Sequence, residues 1–151
     1  MRKLIFFIFM CLLISACSSN NKKDVPVVDQ TIEKDMTGNT ITPLDSGVVM
    51  MNLYDGKGDA SIKKEADQTI YIKFEVDSYK KIEAHLSSPD SLANIRFSQI
   101  FLPNGEADGP FGRELSYDLT EDGIYMISVH ENMMAGDPWS GIFDVSITLT
   151  K

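Results

Sequence analysis

The stretch that decides the fold is LSYDLTEDGIYMISV, residues 115–129. Leu115, Tyr117 and Leu119 alternate with Ser116 and Asp118, and Tyr125, Ile127 and Val129 alternate in the same way after Gly123. A period of two is the signature of a strand with one buried face, because successive side chains point to opposite sides of a sheet. Between the two runs, Glu121-Asp122-Gly123 supplies turn residues, so the stretch reads as a strand pair joined by a turn. The spacing Glu121-x-Gly123-x-Tyr125 also has the form of a tyrosine corner, in which a Tyr hydroxyl bonds back to the chain at the edge of a sandwich. Tyr125 is therefore read as architecture.

The same period runs through the chain on either side. In 69–77, Ile70, Ile72, Phe74 and Val76 share one face; in 81–86, Ile82, Ala84 and Leu86 do; in 143–149, Phe143, Val145, Ile147 and Leu149 do. Residues 94–102 (NIRFSQIFL) place Ile95, Phe97 and Phe101 in one register and Ile100 and Leu102 in the other, which describes a strand covered on both faces or one broken by a bulge. Residues 47–54 are a candidate first strand, ended by the turn cluster Asp55-Gly56-Lys57-Gly58-Asp59; only 61–67 and 89–94 have room for a helical turn. About seven to eight short strands with regular turn signals predict an all-β fold, an antiparallel β-sandwich of jelly-roll or immunoglobulin-like layout, over 41–151.

Ahead of that domain stand two segments of different character. Arg2 and Lys3 precede the apolar run 4–14 (LIFFIFMCLLI), too short to span a bilayer, which takes about 20 residues. Ile14-Ser15-Ala16-Cys17 then resembles the lipobox of bacterial lipoproteins, which implies that 1–16 is a cleaved signal and that Cys17 carries acyl chains. Two or more chains hold a protein stably on a membrane, whereas one holds only marginally. By the same resemblance, Ser18 after the cysteine implies sorting to the outer membrane, its periplasmic face favoured over the cell surface. Residues 17–40 are polar and poor in aromatics and read as a flexible tether.

Removing 1–16 takes away two basic residues and no acid. The basic count falls from 14 to 12 against 22 acids, and the net charge moves from −8 to −10. Nucleic acid and phosphate ligands call for Lys and Arg, so this balance argues against them. It suits either plain solubility or the steering of a basic protein partner. Both cysteines, Cys11 and Cys17, lie in the signal and at the lipid site, so the domain is expected to hold together by core burial without a disulfide.

No catalytic constellation stands out. His130-Glu131 opens like the zinc-protease motif but Met134 occupies the place of its second His, and no cofactor is implied. Asn104, Glu106 and Asp108 before Gly109 resemble the first half of a calcium loop, with Leu115 where the closing Glu belongs. A turn and a weak calcium site both remain open there. What does stand out is Phe111 and Arg113 in one glycine-rich loop and Met133, Met134 and Trp139 in another. Such residues either fold back over the open end of the core or form a binding surface, where aromatics and Arg dominate the energetics. These five are the candidate binding residues. A glycan or peptidoglycan module, a calcium-binding module and a purely structural envelope protein are the alternatives to a protein-binding, non-catalytic one.

The order of features carries a resemblance. A strand at 69–77 is followed by one at 81–86, then Phe101-Leu102-Pro103-Asn104-Gly105, then the Gly123-x-Tyr125 opening, and last Phe143-x-Val145-x-Ile147. This layout resembles the bacterial pre-peptidase C-terminal (PPC-like) sandwiches and, within them, the periplasmic inhibitors of g-type lysozyme. The resemblance covers about 47–151 and implies a non-catalytic sandwich that binds a basic lysozyme in the cell envelope. It rests on strand order and turn residues, which are fold-level signals.

Overall fold

The computed structural model describes Ile41, Pro43 and residues 46–151. The expected signal segment, Cys17 and the tether lie outside the described residues. Among the described residues nine strands run in chain order: β1 Val48–Met50, β2 Lys57–Lys64, β3 Ile70–Val76, β4 Lys81–Ser87, β5 Arg96–Phe101, β6 Ala107–Asp108, β7 Glu114–Asp118, β8 Gly123–His130 and β9 Gly141–Thr150. They form a five-stranded sheet in the order β1-β3-β8-β5-β6 and a four-stranded sheet in the order β2-β9-β4-β7. The chain is thus an all-β sandwich of two sheets, antiparallel throughout except that β1 runs parallel to β3.

The period-two patterns sort as their chemistry requires. Ile70, Ile72, Phe74 and Val76 of β3, Tyr125, Ile127 and Val129 of β8, and Phe143, Val145, Ile147 and Leu149 of β9 all point into one core. The Tyr125 ring is fully buried, stacks on Phe74 at 6.2 Å and sends its hydroxyl to the Glu121 carbonyl at 3.0 Å. That is the tyrosine corner read from the spacing. β7 and β8, however, do not pair with each other: the turn between them crosses from the four-stranded to the five-stranded sheet.

The ambiguous register of 94–102 is settled by a bulge between Phe97 and Gln99. It turns Phe97, Ile100 and Leu102 inward and leaves Phe101 only half-buried. The extra residue moves the apolar set from one register to the other without breaking the ladder.

Two strands were not expected. β2 occupies the place of the turn cluster and of the possible helical turn at 61–67; among the described residues there is no helix. Its inward positions are Gly58, Ala60, Ile62 and Lys64, so only one large apolar residue marks the buried face. β6 is two residues long and opens a crossing: Phe111 N–H and Gly112 C=O continue the ladder along Phe97, then the Arg113 carbonyl accepts from Leu86 N–H in the other sheet. Residues 107–118 therefore pass along one edge of the sandwich and join its two sheets.

Candidate functional site

Four connections come together at one end of the sandwich: 65–69, 88–95, 109–113 and 131–140. Strand direction dictates this, because β2, β4 and β8 all finish there and β5, β7 and β9 all start there.

The innermost contact at this end is an ion pair. Lys64 closes β2 and Glu131 follows β8, so their contact ties the two sheets together; both side chains are fully buried. Lys64 Nζ donates to Glu131 Oε1, to the Glu65 carbonyl at 2.8 Å and to the Trp139 carbonyl at 3.3 Å. Glu131 Oε1 also accepts from the backbone N–H of Asp67 at 3.2 Å and of Trp139 at 3.1 Å. Burial pushes the Glu131 carboxyl upward, but the Lys64 hydrogen bond, those from the backbone and the Lys64 charge outweigh it and hold the group below its ordinary value. Its second oxygen, Oε2, makes no hydrogen bond; His130 Nδ1 lies 3.3 Å away. Two loops thus hang on one carboxylate.

Trp139 sits above this pair. Its ring lies across Gly141, where an added Cβ would meet the indole, and its Nε1 donates to Asp90 Oδ2 at 2.8 Å. Asp90 Oδ1 accepts from Leu92 N–H at 2.9 Å. The Trp139 hydrogen bond, the Leu92 hydrogen bond and the Arg113 charge hold Asp90 below the usual carboxylate range. Arg113 Nη2 donates to the Ala93 carbonyl at 2.5 Å. Asn94 completes the seam, giving its amide N–H to the carbonyls of Asn132 (3.2 Å) and Asp137 (3.1 Å) and accepting from Asn132 N–H. The 88–95 loop is the hub that Arg113 and Trp139 share.

The five candidate residues accordingly divide. Phe111 is half-buried, edge-on to Tyr117 at 6.5 Å, and packs against the core. Arg113 and Trp139 are half-buried and hold neighbouring loops. Met133 and Met134 face outward at 57% and 98% exposure. Leu92, in the hub loop, is 86% exposed and was not singled out in the sequence; an isolated Leu between Ser91 and Ala93 carries no periodic signal. This end therefore exposes three large apolar side chains, Leu92, Met133 and Met134, among exposed polar and acidic ones that include Glu65, Asp67, Asp90 and Asp137.

Asn104, Glu106 and Asp108 lie at and beyond the β5–β6 turn, towards the other end of β5. There Glu106 N–H donates to Asn104 Oδ1 at 2.8 Å, Asn104 Nδ2 donates to Glu106 Oε2 at 3.2 Å, and Gly109 N–H donates to Asp108 Oδ1 at 2.7 Å. These are turn contacts. Among the described residues no three His, Cys, Asp or Glu side chains gather in a way that could hold a metal ion.

No family model matches the chain, and no curated protein sequence matches it. Solved structures do. PliG of Aeromonas hydrophila, described as a periplasmic lysozyme inhibitor of g-type lysozyme, aligns with a TM-score of 0.54 at 14% identity, covering 68% of this chain and 97% of that one. PliG of Salmonella Typhimurium gives 0.46 at 14% identity over 67% and 98% of the two chains, and a mutant of the Escherichia coli protein 0.46 at 12% over 67% and 97%. At such identities the likeness is one of fold, and on the first of them this chain shares the β-sandwich of the Aeromonas hydrophila inhibitor.

Proposed function

We propose that this protein is a lipid-anchored lipoprotein of the bacterial envelope, held at Cys17 on the periplasmic face of the outer membrane, that binds and inhibits a g-type lysozyme without catalysis. The observation that carries the reading is the sandwich shared with the Aeromonas hydrophila inhibitor over 97% of that chain. Charge supports it: residues 46–151 hold nine basic and seventeen acidic side chains, a balance that draws in a basic enzyme. The contact surface in this reading is the loop end, with Leu92, Met133 and Met134 as the touching side chains. Phe111, Arg113 and Trp139 hold that surface in shape, and a bound partner can also reach the exposed parts of Arg113 and Trp139. An apolar centre with acidic side chains beside it has the anatomy of a protein interface.

The test is lytic activity of g-, c- and i-type lysozymes with and without residues 18–151, which retain every described strand. Stoichiometric inhibition confined to the g type is the expected result. Replacing Leu92 and Met134 by Ser should then weaken inhibition by tenfold or more, on the order of 1.4 kcal/mol each. No inhibition of any of the three overturns the reading. Inhibition left intact by both substitutions keeps the function and moves the contact surface elsewhere.

A further inference from the structure

The outer faces of the two sheets differ in kind. That of the four-stranded sheet is polar at almost every position, with Asp59, Glu83, Glu114, Asp144, Ser146 and Thr148 over a shallow recess. The outward residues of the five-stranded sheet include Val48, Met50, Tyr71, Phe101, Ile124 and Met126. Register sets these on neighbouring strands: Met50 lies beside Lys73, Lys73 beside Met126 and Met126 beside Phe101, one row across four strands in which Lys73 is the polar member. Val48 pairs with Tyr71, whose ring meets Phe101 at 6.3 Å, and Ile124, 52% exposed, pairs with Glu75. Val48, Met50, Tyr71, Phe101 and Met126 are half-buried and Ile124 is exposed; an outward face normally alternates to polar, so six apolar side chains on one face mark a surface suited to being covered.

We propose that this face binds a second copy of the chain, sheet against sheet about a two-fold axis. Charge selects that occupant. The body is acidic, so two copies repel except through a surface free of net negative charge. This one carries Lys73 and Glu75, two residues apart on β3, and neither makes an ion pair among the described residues. A two-fold axis near them sets Lys73 of each copy against Glu75 of the other, the self-complementarity that an isologous interface requires.

Sedimentation equilibrium of residues 18–151 over a wide concentration range tests it. The wild type is expected to dimerise, and Met126→Glu and Ile124→Lys to lower the association constant by at least about tenfold while keeping the wild-type circular dichroism. Lys73→Glu should weaken the dimer, and the swap Lys73→Glu with Glu75→Lys should restore it. Restoration by the swap distinguishes paired charges from a loss of fold. A wild type monomeric throughout, or a dimer indifferent to Met126→Glu, overturns the proposal. So does a monomer that instead binds vesicles containing phosphatidylglycerol and loses that binding on Met126→Glu, which would make the face a membrane contact.

Discussion

Lys64 and Glu131 form a fully buried ion pair that joins the last residue of β2 to the residue following β8, and so ties the two sheets together at the loop end. Taking charges out of water costs several kcal/mol per ion, and Coulomb attraction offsets this only when the remaining polar atoms are also satisfied. Here Lys64 makes two further bonds to carbonyls and Glu131 Oε1 two to backbone N–H groups, so the pair is largely satisfied, with Glu131 Oε2 the buried atom left without a hydrogen bond. Removing one partner leaves the other charged and buried. Lys64→Ala or Glu131→Ala should each lower unfolding stability by about 3–5 kcal/mol, measured by urea denaturation. The paired change Lys64→Met with Glu131→Leu should recover part of that loss, because no uncompensated charge remains while the N–H groups of Asp67 and Trp139 lose their acceptor.

Acid should act through the same carboxylate. The folded-state pKa of Glu131 lies below its ordinary value of 4.5, so the unfolded chain takes up the proton first. Its contribution is present above that ordinary value and is lost as pH falls through the lower folded value. Thermal unfolding followed from pH 7 downward should show a fall in the wild type, beginning near the ordinary carboxylate range. Glu131→Gln, already destabilised, should show a shallower one.

The tyrosine corner gives a smaller and cleaner effect. Tyr125→Phe keeps the ring stacked on Phe74 and removes only the bond to the Glu121 carbonyl. A stability loss of about 1 kcal/mol is expected, seen as a lower urea midpoint at unchanged slope.

At Gly109 the chain passes close against the bulge in β5. It has φ +147, and a Cβ there would sit on the Ser98 carbonyl oxygen. Gly109→Ala therefore combines a backbone strain of about 1–3 kcal/mol with a clash against main chain that cannot move freely. The expected result is a lower melting temperature, together with faster amide exchange in residues 107–113.

Trp139 tests whether the loops share one hub. Trp139→Phe keeps a ring over Gly141 and deletes the hydrogen bond to Asp90. The Asp90 carboxyl should then titrate at higher pH by NMR, since its largest downward influence is gone. Limited proteolysis within 131–140 should quicken several-fold.

The fold was largely legible because burial on one side of a strand writes itself into the sequence. β3, β4, β7, β8 and β9 each place apolar residues at every second position. The hydroxyl of Tyr125 and its carbonyl partner are only four residues apart, so that contact is local. β2 was not legible. Its inward residues are Gly58, Ala60, Ile62 and Lys64, and Lys64 can be buried only because Glu131, 67 residues away, meets it. β1 and β6, short edge strands, were too brief to show their pairing.

Of the candidate site, composition picked out two loops that the fold brings to the same end, and not the contacts each residue makes there. Phe111, Arg113, Met133, Met134 and Trp139 belong to two loops at the same end of the sandwich. Which of them face inward depends on Asp90, Ala93 and Gly141, none of which has a pattern that links it to them. Leu92 carries no such pattern either. By itself the sequence determined what depends on near neighbours: the strands with alternating faces, the tyrosine corner and the acidic balance. Tertiary structure alone decided the pairing of the sheets, the burial of Lys64 against Glu131, the hub at 88–95 and the row of Met50, Lys73, Met126 and Phe101. Those arise between residues far apart in the chain, where contact is set by topology and no local propensity records it.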